Sequence, residues 1–582
     1  MKSRNLFPFM LLAVIGIVSV MPEKTQAEPL NNSAELNNVE RGLKKKRKGK
    51  LRPVVPIVKP KEERAVLPKL NQSEFKGQHI QTALARVPFR TLQLQDSTVI
   101  SSELVGKKTH AYITSNTVSM LQLQNLRHDL SQYYLQQGYI NSGVIIPDQD
   151  ISDGKIRLQA IEGKLDNIEV QGLEALQPDY VRIRLRQYIT EPLNINNLKY
   201  ALLQLKDDAQ ISQLNAQLVP GETLGASLLK LRVRESKRYF LKMTAGNYRS
   251  PSIGEKHLGL SAGNNNLLGR GDALSGEYTQ TEGARDYQLN YVFPLLKTDT
   301  LLGLSYQNAN SIIVEEPFDQ IDINSTYEKR QVFVEQMLIR NSQENLSIQL
   351  GTDLKYSKSE VDGVNTSLST GAVNGVSRIT AVAVNGQWLK RKADQVVAGR
   401  LALRKGIDLL DATINQSGPD SEFFSVQAQL QYLQKLKFWR SQFSLNTAAQ
   451  YSPDALMPME KFSIGGSRSV RGYRENQYLR DNGFSASMAL KKPIVMQKTF
   501  LAKSNLFVQG FVDSAYAWDS SQSNLESAEF ISSIGAGIEW LPIRNAKVNA
   551  DYAVPLNTVP DPGEKQWQDL GFHILMSYLI RF

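Results

Sequence analysis

The stretch FSIGGSRSVRGY, residues 462–473, and the last segment of the chain, residues 572–582, decide the fold. In the last segment apolar side chains occupy every second position, and these positions are Phe572, Ile574, Met576, Tyr578, Ile580 and Phe582. Alternation with a period of two predicts a β-strand that presents one apolar face. Gly465, Gly466 and Gly472 in the first stretch predict a loop that turns sharply.

Residues 237–582 repeat this alternation without a helical period. The clearest example is 424–432, where apolar residues alternate with Ser and Gln. We count 16 candidate strands, and single-chain outer-membrane barrels have an even number of strands. The strands are expected to begin near Arg238, Lys256, Asp272, Arg285, Asp299, Glu328, Glu344, Ser377, Asp394, Phe424, Lys437, Asp481, Asn505, Glu529, Asn545 and Gly571.

The alternative for this region is a soluble all-β protein. The apolar outward faces and the terminal Phe582 instead resemble a bacterial outer-membrane barrel, in which Phe582 would be the membrane-assembly signal. A closed barrel crosses a bilayer without an apolar helix because it pairs every backbone group between strands. We therefore expect a transmembrane β-barrel of 16 antiparallel strands over 237–582.

The N-terminus reads as a secretory signal peptide over 1–27. Lys2 and Arg4 precede an apolar run at 6–21, and Thr25-Gln26-Ala27 is a plausible cleavage site. A transmembrane anchor is the alternative, but the run is short and a polar stretch follows it at once. The mature chain is therefore expected to be exported.

Two further segments precede the first folded region. Within residues 28–50, the stretch 32–48 lacks Pro and carries only a weak apolar stripe, at Ala34, Leu36, Val39 and Leu43. A helix this polar cannot lie in a protein core, whereas it can lie in a water-filled pore, so we expect a plug helix. Residues 51–87 contain four prolines and are expected to form an extended linker.

Residues 88–236 have the pattern of soluble α+β structure in two units, 88–165 and 166–236. In the first unit Leu123, Leu126, Leu130 and Tyr133 fall on one face of a helix that stops at Gly138, and strands follow at 144–147 and 155–161. In the second unit we expect a strand at 168–170 and a helix at 178–189. A further helix should carry Leu198, Leu202, Leu205 and Ala209. Two strands should close the unit, the last with Leu229, Leu231 and Val233 on one face.

The order β-α-α-β-β, twice, resembles tandem POTRA domains. The stretch from Gly138-Tyr139 through 143–150 and 154–158 to Glu162-Gly163 is similar to the first POTRA domain of two-partner secretion transporters, the TpsB family. A generic α/β domain is the alternative. The resemblance implies POTRA 1 at 88–165 and POTRA 2 at 166–236, both in the periplasm.

The sequence NLLGRGD at 266–272 joins the second and third candidate strands. It lacks the strand-then-helix context of a phosphate loop. It resembles a turn motif of the superfamily of POTRA-bearing translocases and insertases, which implies a structural role for Asn266, Leu267, Gly269, Gly271 and Asp272.

The connection 452–479 holds the sequence Val470-Arg471-Gly472-Tyr473. In the same superfamily this is the sixth extracellular loop, which folds back into the barrel lumen, and the resemblance implies that Arg471 pairs with a carboxylate on the lumen wall. Asp513 falls on the polar-tolerant face of its strand by alternation alone. The family pattern there is F-x-D-x-G, and this chain has Ala515 in place of the last Gly. A surface loop with a solvated Arg is the alternative.

Composition excludes several other classes of function. The chain has no Cys and only five His, without metal-ligand spacing, so no metal or cofactor is expected. We find no catalytic constellation and expect no enzyme. Eleven Lys and Arg and two Glu lie within 41–64, so the net charge of +11 reports one local basic run and not a nucleic-acid partner.

The resemblance as a whole implies an outer-membrane protein translocase of a two-partner system, acting without ATP. Its partner would be one large exoprotein, a haemolysin, adhesin or contact-dependent inhibition toxin, recognised by the POTRA domains. We also expect contact with outer-membrane lipid and lipopolysaccharide, insertion by the barrel assembly machinery, and a monomer. A barrel insertase is the main alternative; a passive porin would not need the periplasmic units, and a TonB-dependent receptor would need a larger plug.

Overall fold

A computed structural model describes residues 86–295, 299–341, 343–494, 505–520, 528–543, 545–560 and 565–582. The expected signal peptide, the plug helix and all but the last two residues of the linker lie outside the described residues. The described chain forms two compact units that meet in sequence between Ser236 and Lys237. Within the described residues, no helix is both long enough and apolar enough to span a bilayer.

The first α+β domain begins the first unit. Its elements are β1 (Arg86–Pro88), β2 (Thr91–Gln95), α1 (Ser102–Tyr112), β3 (Thr117–Ser119), α2 (Met120–Gln136), β4 (Gly143–Ile145) and β5 (Lys155–Ile161). The sheet order is β2-β5-β4, with β2 parallel and β4 antiparallel to β5. Helix α2 begins with a capping box between Ser119 and Gln122 and is followed by Gly138 at φ +93°, which confirms the predicted stop.

The buried face of α2 differs from the prediction at one position. Leu123, Leu126 and Leu130 are buried as expected, but Tyr134 and not Tyr133 completes the stripe. Tyr134 lies eleven residues after Leu123, about three full helical turns. Its hydroxyl also donates to Glu162 at 2.8 Å, which gives the buried polar atom a partner.

The second α+β domain repeats the same topology. Its elements are β6 (Lys164–Gln171), α3 (Pro178–Arg186), α4 (Ile195–Lys206), β7 (Ile211–Pro220) and β8 (Ala226–Glu235). The sheet order is β6-β8-β7, with β6 parallel and β7 antiparallel to β8. Leu229, Leu231 and Val233 are buried, as the alternation predicted.

Both helices of this domain end earlier than predicted. Helix α3 ends at Arg186 and not near 189, and α4 ends at Lys206, so Ala209 lies outside the helix and is exposed. Asp208 explains the early end of α4, because its carboxylate accepts from Gln210 N and from the Tyr180 hydroxyl. That local turn competes with helix continuation.

The second unit is a closed barrel. Its elements are β9 (Tyr239–Gly246), β10 (His257–Asn264), β11 (Ala273–Gln280), β12 (Ala284–Leu295), β13 (Thr300–Ile312), β14 (Ile323–Arg340), β15 (Glu344–Val361), β16 (Val364–Asn365), β17 (Val376–Arg391), β18 (Gln395–Ile407), β19 (Phe424–Lys435), β20 (Gln442–Tyr451), β21 (Phe462–Ile464), β22 (Tyr478–Arg480), β23 (Asn482–Ile494), β24 (Asn505–Trp518), β25 (Glu529–Leu541), β26 (Ala546–Pro555) and β27 (Phe572–Arg581). Leaving aside β21 and β22, which pair with each other, and the two-residue β16, 16 antiparallel strands make the ring, and β27 closes it against β9.

The predicted number of strands is confirmed, and two starts are shifted by several residues. Strand β14 begins at Ile323, ahead of the expected Glu328, because the polar sequence Asn324-Ser325-Thr326 continues the ladder with β13. Strand β20 begins at Gln442, after the expected Lys437, because Trp439 and Arg440 adopt left-handed backbone angles in the preceding turn.

The two faces of strand β24 differ in exposure. On β24, Val512 is 50% exposed on the outside, while the adjacent Asp513 is fully buried. An apolar outer face with a polar lumen is the arrangement that a lipid bilayer requires of a barrel. The lumen wall therefore carries side chains that can hold a polar loop.

Candidate functional site: the loop inside the barrel

The connection between β20 and β23 is a folded loop that lies in the lumen. Its hairpin, β21 with β22, encloses the sequence from Gly465 to Gln477. Gly465 and Gly466 have φ of +102° and +85°, a region that favours glycine. A side chain at Gly466 would meet the Glu475 carboxylate at 2.3–2.4 Å, so this turn admits only glycine without rearrangement.

Arg471 lies between the two strands of this hairpin and contacts the wall of the barrel. Its Nε lies 2.7 Å from Asp513 Oδ2, and its Nη2 lies 2.9 Å from Asp513 Oδ1. The backbone N–H of Arg471 also donates to Asp513 Oδ2 at 3.1 Å. A two-pronged guanidinium–carboxylate contact fixes both the position and the orientation of the side chain.

Further wall groups complete the surroundings of the guanidinium. Arg471 Nη1 lies 3.3 Å from Asp551 Oδ2 on β26, and Nη2 donates to Ser487 Oγ at 3.2 Å. The guanidinium carbon lies 3.3 Å from the centre of the Phe511 ring, a cation–π geometry. Arg471 is 9% exposed, so one buried cation faces two carboxylates. Asp551 and Ser487 were not predicted, since neither has a recognisable motif around it.

Gly472 brings the loop backbone against the wall. Its N–H donates to His573 Nε2 at 2.9 Å, which leaves that nitrogen without its own proton. Its φ is +89°, and a Cβ there would lie 3.0 Å from both Ala553 O and Ala553 Cβ. The close approach therefore depends on residue 472 being a glycine, which has no side chain.

Val470 and Tyr473 provide the apolar part of the contact. Both pack in a buried cluster with residues of the hairpin and of β24 and β25, namely Phe462, Ile464, Tyr478, Ala515, Ala517 and Ile531. The Tyr473 hydroxyl lies 2.9 Å from Ser532 O and accepts from Asn557 N at 3.1 Å. Ala515, which replaces the expected Gly, is buried in this cluster.

The residue after this motif was missed by the sequence argument. Arg474 Nε and Nη2 lie 2.7 and 2.8 Å from the two oxygens of Asp569, in the connection between β26 and β27. Its Nη1 lies 2.5 Å from Glu315 Oε1, in the connection between β13 and β14. Asp569 and Glu315 lie in irregular loops, where no periodicity reveals which side chains meet.

The turn motif between β10 and β11 is held by hydrogen bonds between its own residues. Asn266 Oδ1 accepts from Gly271 N, and Asp272 Oδ1 accepts from Leu268 N, both at 2.9 Å. Gly269 and Gly271 have positive φ, whereas Leu267 is 45% exposed. The Tyr291 hydroxyl donates to Asp272 Oδ2 at 3.1 Å, so the motif is also tied to β12.

Phe582 lies at the seam of the ring. Its backbone exchanges two hydrogen bonds of 3.0 Å with Tyr239, and the two rings stack with centres 5.6 Å apart. The terminal residue therefore extends the pairing of β27 with β9.

Known proteins share both the sequence pattern and this architecture. The family model for haemolysin secretion/activation proteins ShlB/FhaC/HecB matches residues 225–540, and the model for the ShlB-type POTRA domain matches 87–163. The outer membrane transporter CdiB of Dickeya dadantii is 24% identical, over 77% of this chain and 79% of its own. The hemolysin transporter protein HpmB of Proteus mirabilis is 21% identical, over 68% and 70%.

Solved structures show the same fold. CdiB from Escherichia coli superposes with a TM-score of 0.62 at 16% identity, over 98% of this chain and 99% of its own. BamA from Haemophilus ducreyi, lacking POTRA domains 1–3, superposes less well, with a TM-score of 0.53 at 12% identity, over 85% and 100%. The chain therefore belongs to the ShlB/FhaC/HecB family of haemolysin secretion/activation proteins, and it is an outer-membrane transporter of the two-partner secretion type with its POTRA domains in the periplasm.

Proposed function

We propose that this transporter exports one large exoprotein through its barrel, and that the contact of Arg471 with Asp513 and Asp551 holds the loop in the lumen between transport events. The observation that carries the proposal is the burial of one loop cation between two wall carboxylates, 2.7 and 3.3 Å away. Removing one member of a buried ion pair is costly because its partner stays desolvated. The loop is therefore held firmly in one position.

Capture of the exoprotein is assigned to the α+β domains. Strand β7 is an edge of its sheet and is ten residues long, with mostly polar or partly exposed side chains. An extended segment can add to such an edge, where backbone pairing provides affinity without strict dependence on sequence. The proposed ligand is the N-terminal secretion domain of the exoprotein.

Export through the barrel would draw on folding of the exoprotein outside the cell, which makes its return unfavourable. The outward face would contact outer-membrane lipid and lipopolysaccharide, and Phe582 would be read by the barrel assembly machinery during insertion. One barrel is already closed without a second copy, so the proposed working form is a monomer.

The test is secretion of the exoprotein encoded beside this chain, measured in the medium and normalised to heat-modifiable barrel in the outer membrane. Arg471→Ala should abolish or strongly reduce secretion while the barrel still inserts. Arg468→Ala is the matched control, because Arg468 lies in the same loop and is exposed. Normal secretion by Arg471→Ala would refute the proposed role of the loop. Loss of other barrels from the outer membrane on depletion of the chain would favour an insertase instead.

A further inference from the structure

We call the connection between β20 and β23, residues 452–481, the pore loop. Its first part makes its own contact with the barrel wall, away from Arg471. We call residues 454–460 the loop root. Leu456, Met457 and Met459 of the root are buried in one cluster with residues of β14 and β17 and with Phe423, the wall members being Tyr327, Ile379 and Ala381. The root is therefore packed in the lumen before the chain reaches the hairpin.

Glu460 ends the root inside a group of buried charges. Its Oε1 lies 3.0 Å from Lys355 Nζ on β15 and 3.2 Å from Arg404 Nη2 on β18. The side chains of all three residues are at most 2% exposed. Lys355 Nζ also donates to Met459 O at 3.1 Å, so the same ammonium binds the root through its backbone and through its carboxylate.

Further charged side chains of the wall lie beside these contacts. Arg404 Nη1 lies 2.8 Å from Asp353 Oδ2, and Lys329 Nζ lies 3.9 Å from the same oxygen. Among these residues the wall supplies three cations and one carboxylate, and Glu460 of the loop supplies the second carboxylate. Desolvated cations require a counter-charge, and the three cations stand on different strands of a closed barrel, so they cannot separate easily.

We propose that Glu460 is a positioning residue of the pore loop: its carboxylate fixes the loop root on Lys355 and Arg404 and thereby sets where Arg471 stands. The inference rests on the proposed role of the loop in transport. The root presents an anion to wall cations on β15 and β18, whereas the far end presents a cation to wall carboxylates on β24 and β26. Because the two contacts have opposite signs, only one seating of the loop satisfies both.

The experiment uses the full chain in the outer membrane. Glu460→Gln keeps the size of the side chain and removes its charge; Glu422→Gln is the control, because Glu422 is exposed in the preceding loop. Secretion is normalised to heat-modifiable barrel. The chain has no Cys, so Ile464→Cys, at a fully buried position of the hairpin, reports release of the loop through its rate of maleimide labelling.

We expect Glu460→Gln to lower secretion and speed labelling by at least about fivefold, the low end of measured couplings between sites, with Glu460→Asp intermediate. Glu460→Lys should be worse, because it adds a cation beside Lys355 and Arg404. Adding Lys355→Glu to it should restore slow labelling and part of the secretion, which a role in general packing would not do.

Two results would overturn the inference. One is a folded Glu460→Gln barrel that secretes and labels like Glu422→Gln while Arg471→Ala secretes nothing; the proposed function would then stand without this residue. The other, decisive if Glu460→Gln does not fold, is a folded Glu460→Lys/Lys355→Glu barrel that still labels quickly. Normal secretion by Arg471→Ala would instead refute the proposed function itself.

Discussion

The two ends of the pore loop are held by the same kind of force in different settings. At the tip of the loop, residues 470–473, the Arg471 side chain and the backbone N–H groups of residues 471 and 472 all bind wall side chains. At the root, the Glu460 ion pairs lie beside a buried apolar cluster that includes Met457 and Leu456. The tip has a buried apolar cluster of its own around Val470 and Tyr473, so the two ends differ in the sign of the buried loop charge: a cation at the tip and a carboxylate at the root. Each end therefore depends on wall charges of the opposite sign.

The largest effect is expected for Arg471→Ala. The change leaves Asp513 and Asp551 desolvated without a cation, and breaking a buried pair in this way costs about 3–5 kcal/mol. That range corresponds to a shift of the seated loop population by roughly a hundredfold or more. Secretion per folded barrel should fall below detection, with labelling of Ile464→Cys accelerated.

Arg471→Lys sharpens this prediction. A lysine restores the charge but not the two parallel hydrogen bonds to Asp513. We expect partial secretion, between those of the wild-type chain and Arg471→Ala. Full secretion by the lysine variant would show that charge alone holds the tip and that the two parallel hydrogen bonds to Asp513 are not needed.

The second effect is the coupling between Arg471 and Asp513. Asp513→Ala should harm secretion less than Arg471→Ala, because the guanidinium keeps Asp551 at 3.3 Å. The double variant should be no worse than the worse single variant, with an interaction of about 0.5–3 kcal/mol. The measurement is a double-mutant cycle on secretion, and strictly additive losses would show that the two residues do not act as one unit.

The barrel could be predicted from the sequence because its strands have a period of two, whereas the pairing of Arg471 with a wall carboxylate was implied by the family resemblance. Alternation assigned Asp513 to the lumen face of β24 from residues within that strand alone. Asp551, His573 and Ser487 also face the lumen by alternation, but nothing local indicates which lumen residues meet a given loop. That choice depends on the register and closure of the whole ring.

The contacts of the loop root and the ends of the helices could not be predicted from the sequence, for a related reason. Glu460 precedes the glycine-rich motif in a segment without periodicity, and its partners Lys355 and Arg404 lie on strands far away in sequence. The end of α4 was displaced by a side-chain hydrogen bond of Asp208. Contacts between distant segments and competition from single side chains leave little mark on local patterns.

A third, smaller effect tests the backbone at the tip. Gly472→Ala would place a methyl 3.0 Å from Ala553 O at a φ of +89°, a conformation that costs about 1–2 kcal/mol for a residue with a Cβ. We expect faster labelling of Ile464→Cys and reduced secretion with normal barrel content. Gly510→Ala is the matched control, because nothing lies within 4 Å of its Cβ. Equal behaviour of the two variants would mean that the tip does not need this close approach.

The smallest effect concerns a carboxylate whose hydrogen-bond donors, among the described residues, are all neutral. It tests whether opposite charge is what makes the two loop contacts costly to break. Glu162 accepts from Thr98 N at 2.7 Å, Thr98 Oγ1 at 2.6 Å and the Tyr134 hydroxyl at 2.8 Å. Burial alone raises the pKa of Glu162, but the hydrogen bonds from Thr98, Tyr134 and Val99 outweigh it, and the net pKa lies below the ordinary 4.5. The ionised form is therefore the one that the folded domain favours.

A lowered pKa in the folded state stabilises the domain above the unfolded value, and this stability is lost as the pH falls through the folded pKa. Hydrogen-exchange protection of the Thr98 and Val99 amides in the wild-type chain should accordingly be constant near pH 6 and fall as the pH drops below about 5 and through the folded pKa, which lies below 4.5. In Glu162→Gln it should be lower at pH 6, by about 1 kcal/mol for the altered hydrogen bonds, and less dependent on pH. Glu174→Gln, at an exposed position, is the control. If Glu162→Gln lowered the free energy of protection by about 3–5 kcal/mol, the cost expected for breaking a buried ion pair at Arg471, a carboxylate with neutral donors would be as hard to replace as a buried ion pair. Opposite charge would then not be what makes the two loop contacts costly to break.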